Sequence, residues 1–285
     1  MYNLTGAYWI RDEAPYLAEY IEFHILQGFD RFIFYDNKST DDTAEMMVPY
    51  IKAGLVELRQ YPPHITQRNN FWMMNHLCKE QEGLTKWLHF HAIDERIWSP
   101  GTSLVEALKP FERYAGVAVG WKLFNSNKKG KKEPGLIIER FTSESEEPNH
   151  HIKTIVQPGK AVGHAGCPHI FNYVPGNYCV DEYNNKVTSP WNKPSYPMQR
   201  FINHHYVTMS KEEFDVKMDK GLLDHPGAEN KRRVNAEAQW NGLEASVKGD
   251  NTELLAWVEP VKEALRERYK SYPELLAKVT SWYNL

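Results

Sequence analysis

The sequence predicts an α/β protein with a Rossmann-like, mainly parallel central sheet flanked by helices, followed by a helical extension at its C-terminal end. Three observations predict it. Short β-prone runs alternate with amphipathic segments of helical length through the first hundred residues. Glycines at 28 and 54 close successive helical segments. Polar residues gather directly after the strand-like runs, where open parallel sheets bind their ligands.

The chain opens with an apolar, β-prone run from Leu4 to Ile10. Over residues 13–27, Tyr16, Leu17, Tyr20, Ile21, His24 and their neighbours recur at helical spacing, and Gly28 stops the helix. Arg31 to Tyr35 reads as a short buried strand. Ser39 or Thr40 is placed to cap a helix running to about Ala53, with Asp41 and Asp42 favourably set in its first turn. Leu55 to Gln60 is a third strand, residues 67–82 a third helix, and Lys86 to Ile93 a fourth strand. This alternation requires crossover connections and therefore parallel neighbours.

Beyond residue 100 the pattern is mixed. Gly116 to Phe124 and Gly135 to Phe141 read as strands around a turn rich in lysine (Lys128, Lys129, Lys131, Lys132), and an acidic stretch follows with Glu144, Glu146 and Glu147. Residues 157–200 hold many Gly, Pro, Asn and Tyr residues, which indicates loops. From Ser210 the chain turns helical. Ser210 with Glu213 is a capping-box pair, and amphipathic stretches cover about 228–246, 252–270 and 273–283.

Composition narrows the function classes. A chain of 285 residues can bury a core as one large domain, or as one domain with a helical appendage. The net charge of -3 argues against a nucleic-acid binder that depends on a positive field. Nine Trp and 16 Tyr supply flat faces that stack on sugars or bases, or else a bulky core. Cys78, Cys167 and Cys179 show no disulfide or zinc spacing, no apolar run reaches the ~20 residues of a membrane span, and Met1 leads almost directly into a strand. A reducing, cytoplasmic location is expected, and a chain trimmed of an anchor fits these facts equally. Asn37-Lys38-Ser39 would be a glycosylation sequon in a secreted chain, but it falls at a strand end.

The residues after the strands carry the chemistry. Arg11, Asp12 and Glu13 follow the first, Asp36 and Asn37 the second, and Asp94 and Glu95 the fourth. Asp36 and Asn37 are also residues that favour turns. The chain has neither a G-x-G-x-x-G after its first strand nor a Walker loop. The remaining common way to hold phosphates is a divalent cation on acidic residues. Mg2+ and Mn2+ suit carboxylate and phosphate oxygens, and Asp94 is the best-placed ligand. A nucleotidyltransferase expects a Gly-rich loop with a basic residue after strand one, and Arg11-Asp12-Glu13-Ala14-Pro15 offers none.

Five blocks in order extend this reading: RDEAPYLAEYIEFHILQGFDRFIFYDNKSTDDT (11–43), KWLHFHAIDERIWSP (86–100), GLIIERF (135–141), HIKTIVQP (151–158) and HYVTMSKEEF (205–214). Together they resemble the family 92 glycosyltransferases, which belong with the family-2-like enzymes of GT-A fold. The resemblance implies an inverting transfer of a hexose, often galactose from UDP-galactose, to a glycan hydroxyl. It implies a GT-A domain over residues 1–209, with a nucleotide-sugar half (1–100) and an acceptor half (101–209), before the helical extension 210–285. Arg11 and Asp36 fall where the family contacts the nucleotide, with Glu13, Asn37, Asp94 and Glu95 beside them. Asp94 falls on the last acidic position of the D-x-D motif, and His205 where a late histidine completes binding of Mn2+ or Mg2+ or of the diphosphate.

In one respect the chain departs from the family. The family reads D-x-D-E-F, whereas this chain reads Ala92-Ile93-Asp94-Glu95-Arg96. Loss of the first carboxylate implies weaker metal binding, or a metal-independent or inactive member. A relative that binds nucleotide or glycan without transfer is thus the alternative function. His91 would compensate only by facing the site, and strand alternation sets it opposite Ala92. For the base that takes the acceptor proton, Asp181 is the choice, in a loop suited to an acceptor site, with Glu182 and Glu139 competing. The aromatic loop from Phe171 to Tyr196 is expected to border the acceptor.

Overall fold

The computed structural model describes residues 1–61, 67–145, 149–191, 198–220 and 229–285. Glu146, Glu147, Tyr196 and residue 228 of the expected last-but-two helix lie outside the described residues.

The first part of the chain alternates as expected: β1 (Tyr2–Ile10), α1 (Ala14–Leu26), β2 (Arg31–Asp36), α2 (Thr43–Met46), α3 (Val48–Lys52), β3 (Val56–Gln60), α4 (Gln67–Glu80) and β4 (Thr85–Phe90). These strands pair in parallel in the order β4-β1-β2-β3, with Ile10 level with Asp36 and Asp36 level with Gln60. The middle of the chain supplies β5 (Glu95–Trp98), α5 (Leu104–Leu108), β6 (Gly116–Leu123), α6 (Ile137–Arg140), β7 (Ser143–Glu144) and β8 (Asn149–Val156). Four short strands follow: β9 (Ala161–His164), β10 (Phe171–Tyr173), β11 (Cys179–Val180) and β12 (Lys186–Val187). The last part holds β13 (Ile202–His205), α7 (Lys211–Lys220), α8 (Glu229–Ala245), β14 (Gly249–Asp250), α9 (Val258–Tyr269) and α10 (Pro273–Tyr283). Strand β8 lies antiparallel between β4 and β6, and β13 runs beside both β6 and β5. The result is the expected Rossmann-like α/β architecture, a ten-stranded sheet among the described residues.

Both faces of β2 are buried, which is why its run over residues 32–35 is apolar without a break. Phe32 and Phe34 of β2 point into a core shared with Leu17, Tyr20 and Phe23 of α1. Ile33 and Tyr35 point into a second core with Met73, Met74 and Leu77 of α4. Val261, Leu265, Tyr269, Val279 and Tyr283 of α9 and α10 belong to the first of these cores. Among the described residues no helix is long and apolar enough to cross a membrane.

Two expectations need correction. The helix expected from Ser39 or Thr40 to Ala53 is two short helices, α2 and α3. Pro49 has no N–H to continue the first one, which breaks it. Ser39 and Thr40 cap neither. Ser39 Oγ instead donates to Asp36 Oδ1 (2.6 Å) and accepts from Asp12 N, while Thr40 N donates to Asp12 Oδ1 (2.7 Å). The strand expected over Gly135 to Phe141 is instead the single turn α6. Its first amides donate to the buried carboxylate of Glu19, Ile137 N at 2.7 Å and Ile138 N at 3.4 Å, an arrangement that a helical turn provides and a strand does not.

Candidate active site

A cavity of about 350 Å³ opens beyond the carboxyl ends of β1 and β4, and α7 closes one side of it. Its walls carry Tyr8 and Trp9 of β1, Met73 of α4, Trp121 of β6 and Lys153 of β8. Of the residues expected from sequence, Arg11, Glu13, Asp94, Glu95 and His205 line it.

The pairing of β13 with β5 sets His205 level with Glu95, and Tyr206 N donates to the Asp94 carbonyl at 2.9 Å. This places His205 Nε2 3.2 Å from Asp94 Oδ2. The same oxygen accepts a hydrogen bond from the ammonium of Lys217, which also donates to the Val207 carbonyl at 3.1 Å. Burial alone would raise the Asp94 carboxyl, but the Lys217 ammonium and the His205 ring outweigh it and hold Asp94 well below the usual carboxylate range.

Glu13 titrates the other way. Desolvation pushes it up to about 7 from an ordinary 4.5, with Lys220 pulling down and Asp94 pushing up. Its side chain is 26% exposed, and it lines the cavity, 3.6 Å from Lys220 Nζ. Lys220 also donates to the Asp12 carbonyl, and Arg11 donates to the Lys220 carbonyl, so the end of α7 and the β1–α1 loop clasp each other. Glu95 is buried. Its Oε2 accepts from Ala92 N at 2.7 Å and stands 3.7 Å from Lys153 Nζ. Arg96 turns inward, away from the cavity, to meet buried Glu19 at 3.1 Å.

The structure leaves the other expected residues outside the cavity. Asp36 is buried, its Oδ1 accepting from Ser39 and its Oδ2 from Gln60 Nε2 (3.1 Å), so it holds the loop after β2. Asn37 is also buried and donates to the Tyr61 carbonyl at 2.8 Å. The Asp181 carboxylate closes the turn between β11 and β12, accepting from Tyr183 N (2.9 Å), Asn185 N (2.8 Å) and Asn185 Nδ2 (3.0 Å). Glu182 accepts the amides of Gln199, Arg200 and Phe201, and Glu139 pairs with Lys262 at 3.0 Å. His91 faces α1, with Nε2 2.6 Å from the Tyr20 hydroxyl, so it cannot replace the carboxylate missing at Ala92.

Sequence reasoning missed the cations from later in the chain, Lys153, Lys217 and Lys220, and the rings of Trp121 and His169. Lys153 carried a usable signal, a lysine in the apolar strand run HIKTIV. Lys217 and Lys220 lie at i, i+3 on one helix face, but nothing in the sequence says where that face docks.

The expected metal can be tested against these side chains. Among the described residues, no group of three or more His, Cys, Asp or Glu converges to hold an ion. Ala92 lines the cavity where the family's first carboxylate would stand, and Asp94 Oδ2 is engaged by an ammonium. A dication about 4 Å from that ammonium would be opposed by about 4 kcal/mol per pair of unit charges at an effective dielectric near 20. The Asp94 and His205 pair as it stands does not fit Mn2+ or Mg2+.

The sequence model described as Glycosyltransferase family 92 matches residues 4–239. A glycosyltransferase family 92 protein of Ricinus communis is 28% identical over 101 residues, which is 35% of this chain and 18% of that protein. The matched stretch thus spans less than a fifth of that relative's length. Among solved structures, S. aureus TarS 1-349 in complex with UDP-GlcNAc has a TM-score of 0.40 at 13% identity, covering 99% of this chain and 84% of that one. S. aureus TarS 1-349 in complex with UDP has a TM-score of 0.38 at 14% identity, covering 55% of this chain and 47% of that one.

Proposed function

The chain belongs to glycosyltransferase family 92, and from that premise we propose that it moves a hexose from a nucleoside-diphosphate sugar to a glycan hydroxyl with inversion. UDP-galactose is the donor the family resemblance favours. The observation that carries this reading is the cavity at the strand ends, where Arg11, Lys153, Lys217 and Lys220 stand among Tyr8, Trp9 and Trp121. Clustered cations suit a diphosphate, aromatic faces suit a base and a sugar, and the cavity's size lies in the range of small-molecule sites.

In this reading the diphosphate lies against Arg11, Lys217 and Lys220, and the sugar extends toward Trp121 and His169. The acceptor oxygen attacks the anomeric carbon as the bond to the diphosphate breaks on the opposite face. The electron pair leaves with the nucleoside diphosphate, whose growing charge the lysines stabilise. The acceptor proton goes to Glu95. Among the carboxylates lining the cavity it is held less tightly by cations than Asp94 or Glu213: its contact with Lys153 is 3.7 Å long, whereas Asp94 is held by both Lys217 and His205, and Glu213 by Arg140 at 2.5 Å. Glu13 stands among the diphosphate cations, on the leaving-group side. Its raised pKa suits a protonated carboxyl that donates to a phosphate oxygen.

Rings lead outward from the cavity toward an acceptor. Trp121 stacks on His151 at 5.1 Å, and His151 meets Trp191 at 3.9 Å, where the indole is 62% exposed. A reducing compartment suits the three unpaired cysteines. The test is a screen of UDP-hexoses against glycan acceptors, read as released UDP. Release with one donor supports transfer. UDP binding without release from any donor would favour the non-transferring alternative, and absence of UDP binding would end the transfer reading and leave only glycan binding.

A further inference from the structure

We propose that Lys217, seated on Asp94, takes the place of the divalent cation in gripping the donor diphosphate, so that this protein binds its donor without metal. The inference rests on the glycosyltransferase reading above. Two features coincide in one cavity. Ala92 stands where the family resemblance calls for a carboxylate, and an ammonium stands on the carboxylate that remains. Two carboxylates with a dication carry the same net charge as one carboxylate with one ammonium. Loss of a negative group and replacement of the cation by a lysine therefore compensate, and an incoming diphosphate meets a locally neutral pair in either case.

The ammonium is also held in place in advance. Asp94 and the Val207 carbonyl engage it, and an ammonium has more N–H donors than these two contacts use. Helix α7, which carries it, is fixed at its start by Ser210 and Glu213, with Ser210 N donating to Glu213 Oε2 at 3.1 Å. Arg140 clamps the same Glu213 carboxylate at 3.0 and 2.5 Å, and both partners are buried. One turn beyond Lys217, Lys220 sits beside Glu13 and the Asp12 carbonyl, giving the diphosphate a second cation on the same helix face. A lysine presented from a clamped helix gives point-charge binding of phosphate, as phosphate-binding lysines do elsewhere.

The test is UDP binding by the full chain, measured by calorimetry in excess EDTA and again in Mn2+, with unfolding temperatures taken alongside. The wild type is expected to bind UDP in EDTA within about twofold of its affinity in Mn2+. Lys217→Met, folded as judged by its melting, should bind UDP in EDTA at least about tenfold more weakly, the loss of one charge-assisted contact. Lys217→Arg, which keeps the charge, should retain most of the affinity. UDP binding that appears only with Mn2+ overturns the inference while leaving the transferase reading intact. Equal binding by Lys217→Met and wild type, or equal loss in the Met and Arg variants, overturns it as well. Absence of UDP binding under every condition removes the transferase reading itself, and the inference with it.

Discussion

Glu13 is a carboxyl kept close to neutral pH by its surroundings, and its titration is linked to stability. Its folded pKa of about 7 lies above the ordinary 4.5, so its stabilising contribution is complete below about 4.5 and is lost as pH rises through 7. Glu13→Gln stays neutral throughout. The variant should therefore gain stability relative to wild type between pH 4.5 and 8, by up to about 3 kcal/mol, at ~1.36 kcal/mol per pKa unit. Urea unfolding of both proteins at the two pH values measures this, and a difference that does not move with pH would refute it. Glu95→Gln keeps an acceptor for Ala92 N yet cannot take a proton. Turnover should fall by about 100-fold or more while UDP affinity stays within about twofold, as loss of a general base predicts. Full turnover in steady-state assays would pass the role to another group. Asp181, by contrast, holds a turn. Asp181→Ala removes three hydrogen bonds to residues 183–185, and should cost about 1–3 kcal/mol of stability with kcat little changed. A collapse of kcat at unchanged melting temperature would restore it as the base.

Helix α7 is the element on which the cavity depends, since it is far from the first strands in sequence yet supplies Lys217 and Lys220. Its position rests on Glu213, which serves both the capping box with Ser210 and the buried pair with Arg140. Glu213→Ala leaves the Arg140 guanidinium buried without its partner. It should destabilise the protein by about 3–5 kcal/mol, as broken buried pairs do, and weaken UDP binding along with it. Chemical denaturation and calorimetry on the one variant test both parts. Unchanged stability would mean that α7 is held elsewhere. The capping box itself was legible, because Ser and Glu three residues apart before a helical pattern are a local signature. The break between α2 and α3 was also legible in principle at Pro49. The helical turn α6 was not, because it is selected by Glu19, more than a hundred residues earlier in the chain.

At the scale of the whole molecule, we propose that the C-terminal helices are part of the fold. Tyr269 donates to the Met46 carbonyl at 2.7 Å, and Arg268 pairs with Glu22 of α1 at 2.9 Å. Removing residues 251–285 would take away Val261, Leu265, Tyr269, Val279 and Tyr283 and uncover the core residues of α1 with which they cluster. That loss is on the order of 10 kcal/mol of apolar burial, as large as the whole stability of a typical domain. The truncated chain should show no cooperative melting by calorimetry. A sharp transition would show that residues 1–250 stand alone. By itself, the sequence determined the alternating α/β order, the strand ends that line the cavity, and Arg11, Glu13, Asp94, Glu95 and His205 as residues lining it. These follow from local periodicity and from the blocks the chain shares with its family. Only the tertiary structure decided that Asp36 and Asp181 support loops, and that Lys217 rests on Asp94. Those facts depend on which distant surfaces pack together, and a side chain's role in a cavity is set by neighbours that the chain brings in from far along its length.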